Sequence, residues 1–113
     1  MKILYLEDHS FYGDILYKSL NIEFKGHNID YATSYTQAES FMVNTKYDVS
    51  LLDVILQNGR TGIHFAENFQ KELGKILFIT GCSDELTLKA LKQYNYIPKS
   101  TKSISQIREF IGE

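Results

Sequence analysis

The chain has 113 residues, of which 43% are hydrophobic and 13% aromatic, and its formal net charge at pH 7 is −2. These values suit one domain with a filled core and exclude the basic composition of nucleic-acid-binding proteins. No apolar run is long enough to span a membrane, and the N-terminal MKILYLED reaches two acids too early for a signal peptide. The only cysteine, Cys82, excludes an internal disulfide. We therefore expect a single cytoplasmic domain over residues 1–113, without membrane or direct nucleic-acid binding.

Short β-prone apolar runs alternate with segments of helical periodicity along the whole chain. The runs predict five strands, over residues 2–6, 27–32, 47–52, 75–79 and 94–97. A helix is expected after each strand. The first should be capped by Asp8 or Ser10. The second should run from Ser34, with Gln37 in a capping box, to about Thr45.

Three further helices are predicted in the second half of the chain. The sequence from Gln57 to Gly62 is the clearest turn, and a helix with apolar residues up to Leu73 follows it. The next helix should begin at Ser83, and Ser103, with Gln106 three residues on, should cap the last one. Apolar strands that alternate with amphipathic helices indicate an α/β fold, in which helices cover both faces of a doubly wound parallel sheet.

Chemically active side chains follow four of the five predicted strands. Glu7 and Asp8 follow the first strand, Asp53 the third, Thr80 the fourth and Lys99 the fifth. The carboxyl ends of parallel strands meet at one edge of a sheet, where such folds bind their ligands. Three neighbouring carboxylates need a cation or a shared proton, and oxygen ligands of this kind suit Mg²⁺. Together with a lysine and a hydroxyl, they suit phosphoryl transfer to an aspartate.

These residues, in this order and each at a strand end, resemble a response-regulator receiver domain of two-component signalling, of the chemotaxis-regulator type. The resemblance covers the whole chain. It implies a flavodoxin-like five-stranded sheet with the strand order 2-1-3-4-5. It also implies a phosphoacceptor that is not a turnover enzyme and that takes its phosphoryl group from a sensor histidine kinase or a phosphotransfer protein.

The resemblance also implies a role for each site residue. Asp53 would accept the phosphoryl group, and Lys99 would hold one of its oxygens. Asp8, Asp53 and the backbone carbonyl of Ile55 would bind Mg²⁺ directly, and Glu7 would act through metal-bound water. The switch residues would be Thr80, which would move towards the phosphoryl group, and Tyr96, which would change rotamer. The responding face would be the fourth helix, fifth strand and fifth helix (residues 86–93, 96 and 104–110), and phosphorylation-linked dimerisation through it stays open.

Two loops depart from the family pattern. Family members have a proline directly after the lysine, often with a cis peptide bond, whereas here Pro98 precedes Lys99. The loop after the phosphoacceptor lacks the usual proline, and its glycine, Gly62, comes one residue late. The interval from Thr80 to Lys99 is short, which predicts trimmed loops or a shortened fourth helix.

Three other functions stay open at this point. The first is a receiver-like protein-binding module that works without phosphorylation, which the displaced proline favours. The second is a metal-dependent phosphohydrolase with an aspartyl nucleophile, although Ile55 stands where such enzymes carry a second acid. The third is a flavin-binding domain, although the first loop offers acids where a flavin phosphate requires amides and hydroxyls.

Overall fold

The strands form a five-stranded parallel sheet in the order β2-β1-β3-β4-β5, in a computed structural model that describes residues 1–81 and 84–112. The strand bounds are β1 Lys2–Leu6, β2 Asn28–Ala32, β3 Val49–Leu52, β4 Lys75–Thr80 and β5 Asn95–Pro98. This confirms the predicted fold class and strand order. The predicted helix start at Ser83 and the loop residue Cys82 lie outside the described residues.

Within residues 1–81 and 84–112, six α-helices connect and cover the strands. Their bounds are α1 Ser10–Glu23, α2 Tyr35–Phe41, α3 Gly62–Asn68, α4 Gln70–Leu73, α5 Glu85–Ala90 and α6 Ser103–Ile111. Side chains of successive strand residues point to opposite faces, so each face has its own core. Leu4 and Leu6 of β1 pack with residues of α2, α3 and α4, whereas Ile3 and Tyr5 pack with residues of α1 and α6. In the described ranges, none of the helices is both long and apolar enough to cross a membrane.

The helix ends differ from the predictions in several places. The N-cap of α1 is His9, which accepts a hydrogen bond from the backbone N–H of Tyr12, so the prediction of Asp8 or Ser10 was wrong. The predicted Ser34 cap of α2 is confirmed, but this helix ends at Phe41 and not at Thr45. The segment predicted as one helix to Leu73 is divided into α3 and α4, because the backbone leaves the helical region at the residue between them.

The last two helices bear on the site. α5 corresponds to the predicted fourth helix and has six residues, which agrees with the shortening predicted from the sequence. α6 begins at Ser103, but its N-cap is Lys102, and Ser103 does not cap it as predicted. The Ser103 hydroxyl is instead bonded to the loop before the helix, where it accepts from the Ser100 N–H at 3.1 Å and donates to the Ser100 carbonyl at 2.9 Å.

Candidate functional site

The carboxyl ends of β1, β3, β4 and β5 form a cleft that contains most of the predicted site residues. Its volume is about 320 Å³, and it is lined by Asp8, His9, Asp53, Ile55, Thr80, Gly81 and Lys99. Backbone hydrogen bonds continue the sheet past the strand ends and fix these positions. The Asp53 N–H donates to the Leu6 carbonyl at 2.9 Å, and the Lys99 N–H donates to the Thr80 carbonyl at 2.9 Å.

Lys99 joins two of the three carboxylates. Its Nζ lies 2.9 Å from Oε1 and 3.1 Å from Oε2 of Glu7, and 3.4 Å from Oδ1 of Asp53. Glu7 is completely buried, and Asp53 is 5% exposed. Charged groups removed from water to this extent require partners. The ammonium group therefore compensates part of the negative charge, but one positive charge faces three carboxylates once Asp8 is included.

The excess negative charge changes the protonation of the site. Burial, together with the hydrogen bonding and negative charge of Glu7, raises the pKa of Asp53 to about 8. Burial alone would lower the pKa of Lys99, but the contacts with Glu7 and Asp53 outweigh it and raise that pKa above its ordinary value. Without a cation, Asp53 therefore holds its proton at neutral pH, while Lys99 stays charged.

The donor set of the cleft fits a hard divalent cation. One carboxylate oxygen each from Glu7, Asp8 and Asp53 lie within 4.8 Å of one another. Oε1 of Glu7 is buried and accepts no hydrogen bond in the described part of the chain, although the Lys99 ammonium is near it. Oxygen ligands without nitrogen or sulfur are those that Mg²⁺ prefers.

The loop after β3 forms a small hairpin. Ile55 and Thr61 are paired in an antiparallel bridge, whose two hydrogen bonds run from Leu56 N–H to the Arg60 carbonyl and from Gly62 N–H to the Val54 carbonyl. These bonds belong to the residues that flank the pair, so the bridge does not use the carbonyl of Ile55. Ile55 lines the cleft, and its carbonyl, the predicted ligand atom, is not used by this bridge.

Two features of the sequence allow this hairpin without a proline. Asn58 and Gly59 form its turn with φ of 63° and 71°, the left-handed conformation that Asn-Gly turns require. Gly62 packs directly on the Asp53 carbonyl, where a Cβ atom would overlap the carbonyl oxygen. The glycine that comes one residue late in the sequence therefore provides the close approach that fixes the backbone of Asp53.

The loop after β5 is held by hydrogen bonds. None of the described peptide bonds is cis, so the Lys99–Ser100 bond is trans, as the displaced proline predicts. The Ser103 hydroxyl also lies 3.1 Å from the hydroxyl of Tyr12 on α1. The Tyr12 ring is 5.0 Å from Lys99 Nζ. α1, α6 and the lysine are thus connected on one side of the cleft.

The two predicted switch residues occupy different surroundings. Thr80 is buried and lines the cleft. Tyr96 is 43% exposed and does not line it; it borders a surface groove with Leu86 and Lys89 of α5. The structure therefore brings together Glu7, Asp8, Asp53, Ile55, Thr80 and Lys99, and it leaves Tyr96 on the adjoining surface.

Three residues near the cleft were not predicted to belong to the site. Tyr12 and Ser103 contact each other beside Lys99. Gly13 leaves room for the Tyr31 hydroxyl next to the buried side chain of Glu7, where a Cβ atom would overlap that hydroxyl. Tyr12 and Gly13 lie on the first helical turns after Glu7-Asp8, which was a usable signal. Nothing in the sequence marks Ser103 except its position four residues after Lys99.

No profile of a known protein family matches the chain, and no curated protein matches it. In contrast, 265 chains of solved structures match its fold. A CheY-like response regulator receiver domain protein from Methanospirillum hungatei has a TM-score of 0.80 and 20% identity, and the match covers 97% of this chain and 92% of that one.

Two further matches differ in their chemical state. The response regulator TrrA from Thermotoga maritima, solved in complex with Mg²⁺ and BeF, has a TM-score of 0.79 and 24% identity over 97% of this chain and 95% of that one. The non-phosphorylated HemR receiver domain from Leptospira biflexa has a TM-score of 0.80 and 22% identity over 99% and 94%. The chain therefore has the fold of response regulator receiver domains. At these identities the likeness defines the fold, and the function must be argued from the site.

Proposed function

We propose that the protein is a phosphoacceptor receiver domain that takes a phosphoryl group onto Asp53. The observation that carries the proposal is the contact of the Lys99 ammonium with both buried carboxylates, Glu7 and Asp53, at the strand ends. A cluster this costly to bury indicates a site that receives a cation and an anionic group. The protein would promote its own phosphorylation and would not be a turnover enzyme.

The transfer would use side chains that line the cleft, together with a bound divalent cation. A carboxylate oxygen of Asp53 forms a bond to phosphorus while the N–P bond of a phosphohistidine breaks, and the electron pair of that bond returns to the imidazole nitrogen. Lys99 would leave the carboxylates for a phosphoryl oxygen, and the Thr80 hydroxyl would donate to another. The phosphoryl group arrives with its own charge, so the ammonium keeps an anionic partner throughout.

We assign the metal site to Asp8, Asp53 and the carbonyl of Ile55, with Glu7 acting through a metal-bound water. The donor set and the Ile55 carbonyl, which the bridge does not use, support this assignment. A bound Mg²⁺ would neutralise the carboxylates and the developing charge on the phosphoryl oxygens. It would also displace the proton of Asp53, so that this carboxylate is ionised when the donor arrives.

The donor protein, a sensor histidine kinase or a phosphotransfer protein, must cover the rim of the cleft. Beside that rim, the first turns of α1 expose apolar side chains, with Phe11 73% and Ile15 52% exposed. Their spacing places them on one helix face. We therefore place the donor contact on this face of α1. The cytoplasmic location stays a prediction.

The responding face would be α5, β5 and α6. These are the fourth helix, fifth strand and fifth helix that the resemblance implies, because the predicted third helix is divided into α3 and α4. Thr80 lies at the end of β4, whose Phe78 pairs with Tyr96 of β5. A shift of Thr80 towards a phosphoryl group would therefore also displace the neighbouring strand β5. The groove bordered by Leu86, Lys89 and Tyr96 on this face is the proposed contact for an output protein or for a second copy.

Intact-mass measurement after incubation with acetyl phosphate and Mg²⁺ tests the proposal. The wild type should gain one phosphoryl group, and Asp53→Asn should gain none. Glu67→Gln, an exposed acid on α3, is the matched control and should behave as the wild type. Chelation of Mg²⁺ should abolish the adduct.

The other outcomes distinguish the alternatives. No adduct in any variant, with acetyl phosphate and with a phosphohistidine protein as donors, would contradict the proposal and favour a binding module that works without phosphorylation. Continuous release of phosphate from small esters would indicate a hydrolase.

A further inference from the structure

We propose that Tyr12 and Ser103 form a clamp that positions the Lys99 ammonium, so that these two residues take over the function that a proline after the lysine has in other receiver domains. This inference rests on the proposed function for the consequence of the clamp, but the clamp itself is a statement about contacts in this chain. Both are positioning residues, because they would act through Lys99 and not on the phosphoryl group.

The Ser103 hydroxyl lies at the centre of the clamp and contacts both the loop after Lys99 and Tyr12. It is buried, accepts from the Ser100 N–H at 3.1 Å, and lies within donating distance of two carbonyls, that of Ser100 at 2.9 Å and that of Pro98 at 3.4 Å. The Tyr12 hydroxyl lies 3.1 Å from it, and either of the two hydroxyls can be the donor. The hydroxyl thus fixes the loop after Lys99 and the far end of the tyrosine at once.

Tyr12 is fixed at both of its ends. Its backbone N–H donates to Nδ1 of His9 at 3.3 Å, in the N-cap of α1, and its hydroxyl is held by Ser103. Its ring centroid lies 5.0 Å from Lys99 Nζ, within the range of a cation–π interaction. The lysine therefore has an aromatic ring on one side and the carboxylates of Glu7 and Asp53 on the other.

The loop explains why such a clamp is needed. A proline directly after the lysine would restrict the backbone there. Ser100 does not restrict it, and the Lys99–Ser100 bond is trans. The backbone after Lys99 is instead held by the hydrogen bonds to Ser103, which connect the loop to the first turn of α6. Loss of the hydroxyl would free both the loop and the tyrosine.

The test compares Tyr12→Phe, Tyr12→Leu and Ser103→Ala with Tyr17→Leu. Tyr17 is a matched control, because it is a half-buried tyrosine of the same helix that stacks on Tyr31 and does not contact Lys99. The first readout is the ¹⁵N NMR signal of the Lys99 ammonium, whose proton exchange is slow only while it is held in place. The second is the initial rate of phosphorylation by acetyl phosphate with Mg²⁺, measured below the unfolding temperature of each variant.

We expect Tyr12→Leu to broaden the Lys99 ammonium signal and to lower the rate about tenfold, the size of one cation–π contact with its hydrogen bond. Ser103→Ala should have a similar effect, and Tyr12→Phe, which keeps the ring, a smaller one. Tyr17→Leu should lower only the unfolding temperature.

The inference is overturned if Tyr12→Leu and Tyr12→Phe leave both the ammonium signal and the rate unchanged. Tyr12→Phe removes only a hydroxyl, so it gives an answer even if Ser103→Ala does not fold. If the wild type is not phosphorylated at all, the proposed function fails, while the ammonium signal still decides whether the clamp exists.

Discussion

The two sides of the cleft are built differently. β1 and β3 are central strands with a neighbour on each side, and Glu7 and Asp53 at their ends are buried and tied to Lys99. β5 is an edge strand that pairs only with β4, and Tyr96 on it is exposed. Edge elements with few packing contacts open more easily than central ones. The two buried carboxylates are thus held where the sheet is rigid, and the proposed response is placed where movement costs least.

The largest effect should come from the rigid side. Gly62→Ala places a Cβ atom on the Asp53 carbonyl, so we expect a loss of about 3 kcal/mol in the free energy of unfolding. Gly81→Ala is the control, because its Cβ would be 3.5 Å from Cδ of Lys99, an ordinary contact. Denaturant unfolding measures both. Equal stability of the two variants would mean that the Asp53 backbone is not as rigid as described.

The second effect is a pH dependence of the metal-free protein. Folded Asp53 keeps its proton up to about pH 8, whereas an unfolded aspartate loses it near the ordinary value of 3.8. Between these values the folded state binds more protons, so stability should fall as pH rises through this window. In Asp53→Asn this contribution should vanish, which would make the variant more stable than the wild type at pH 9 by about 2 kcal/mol.

Thermal unfolding from pH 5 to pH 9 without Mg²⁺ measures this dependence. Glu67→Gln is again the control, because it removes an exposed carboxylate of α3 that does not belong to the site. It should keep the pH dependence of stability that the wild type has. The same slope in Asp53→Asn and in the wild type would show that Asp53 does not hold the proton.

A smaller effect should appear in transfer from a protein donor. Phe11→Ser removes an exposed apolar contact beside the cleft, so it should slow transfer from a phosphohistidine protein about tenfold, the equivalent of one lost apolar anchor. Phosphorylation by acetyl phosphate should not change. Ile22→Ser, at the far end of α1 and equally exposed, is the control. An equal effect of both substitutions would remove the reason to place the donor at the rim.

The smallest effect is the response of the edge itself. With Mg²⁺ and beryllium fluoride as a phosphoryl mimic, amide hydrogen exchange should change in residues 86–93 and 104–110 and stay constant in β1 and β3. The changes should be no more than several-fold, because the responding elements are already exposed. A change confined to β1 and β3 would contradict the proposal that the edge of the sheet responds while its centre stays rigid.

Much of the fold could be predicted from the sequence because its signals are local. The strands and the set of Glu7, Asp8, Asp53, Thr80 and Lys99 follow from apolar runs, four of which are followed by a reactive residue. The strand order was implied by the resemblance to receiver domains. Helix ends were predicted less well, since His9 and not Asp8 or Ser10 caps α1. The choice among neighbouring cap residues depends on tertiary contacts that a local pattern does not contain.

The loops could be predicted only in part. The missing prolines indicated that both loops would differ, but not what would replace them. The Asn58-Gly59 turn was visible, whereas the contact of Gly62 with Asp53 depends on the hairpin that the turn creates. The clamp joins Tyr12 and Ser103, which are far apart in the sequence, and no pattern along the chain connects them.

The position of the phosphoryl group tests the central claim most directly. Borohydride reduction after treatment with acetyl phosphate and Mg²⁺ converts an aspartyl phosphate into homoserine, and peptide mass spectrometry locates it. The account predicts homoserine at residue 53 alone, dependent on Mg²⁺. Homoserine at Asp8 or at another acid, or none in a protein that a phosphohistidine donor has labelled, would contradict it.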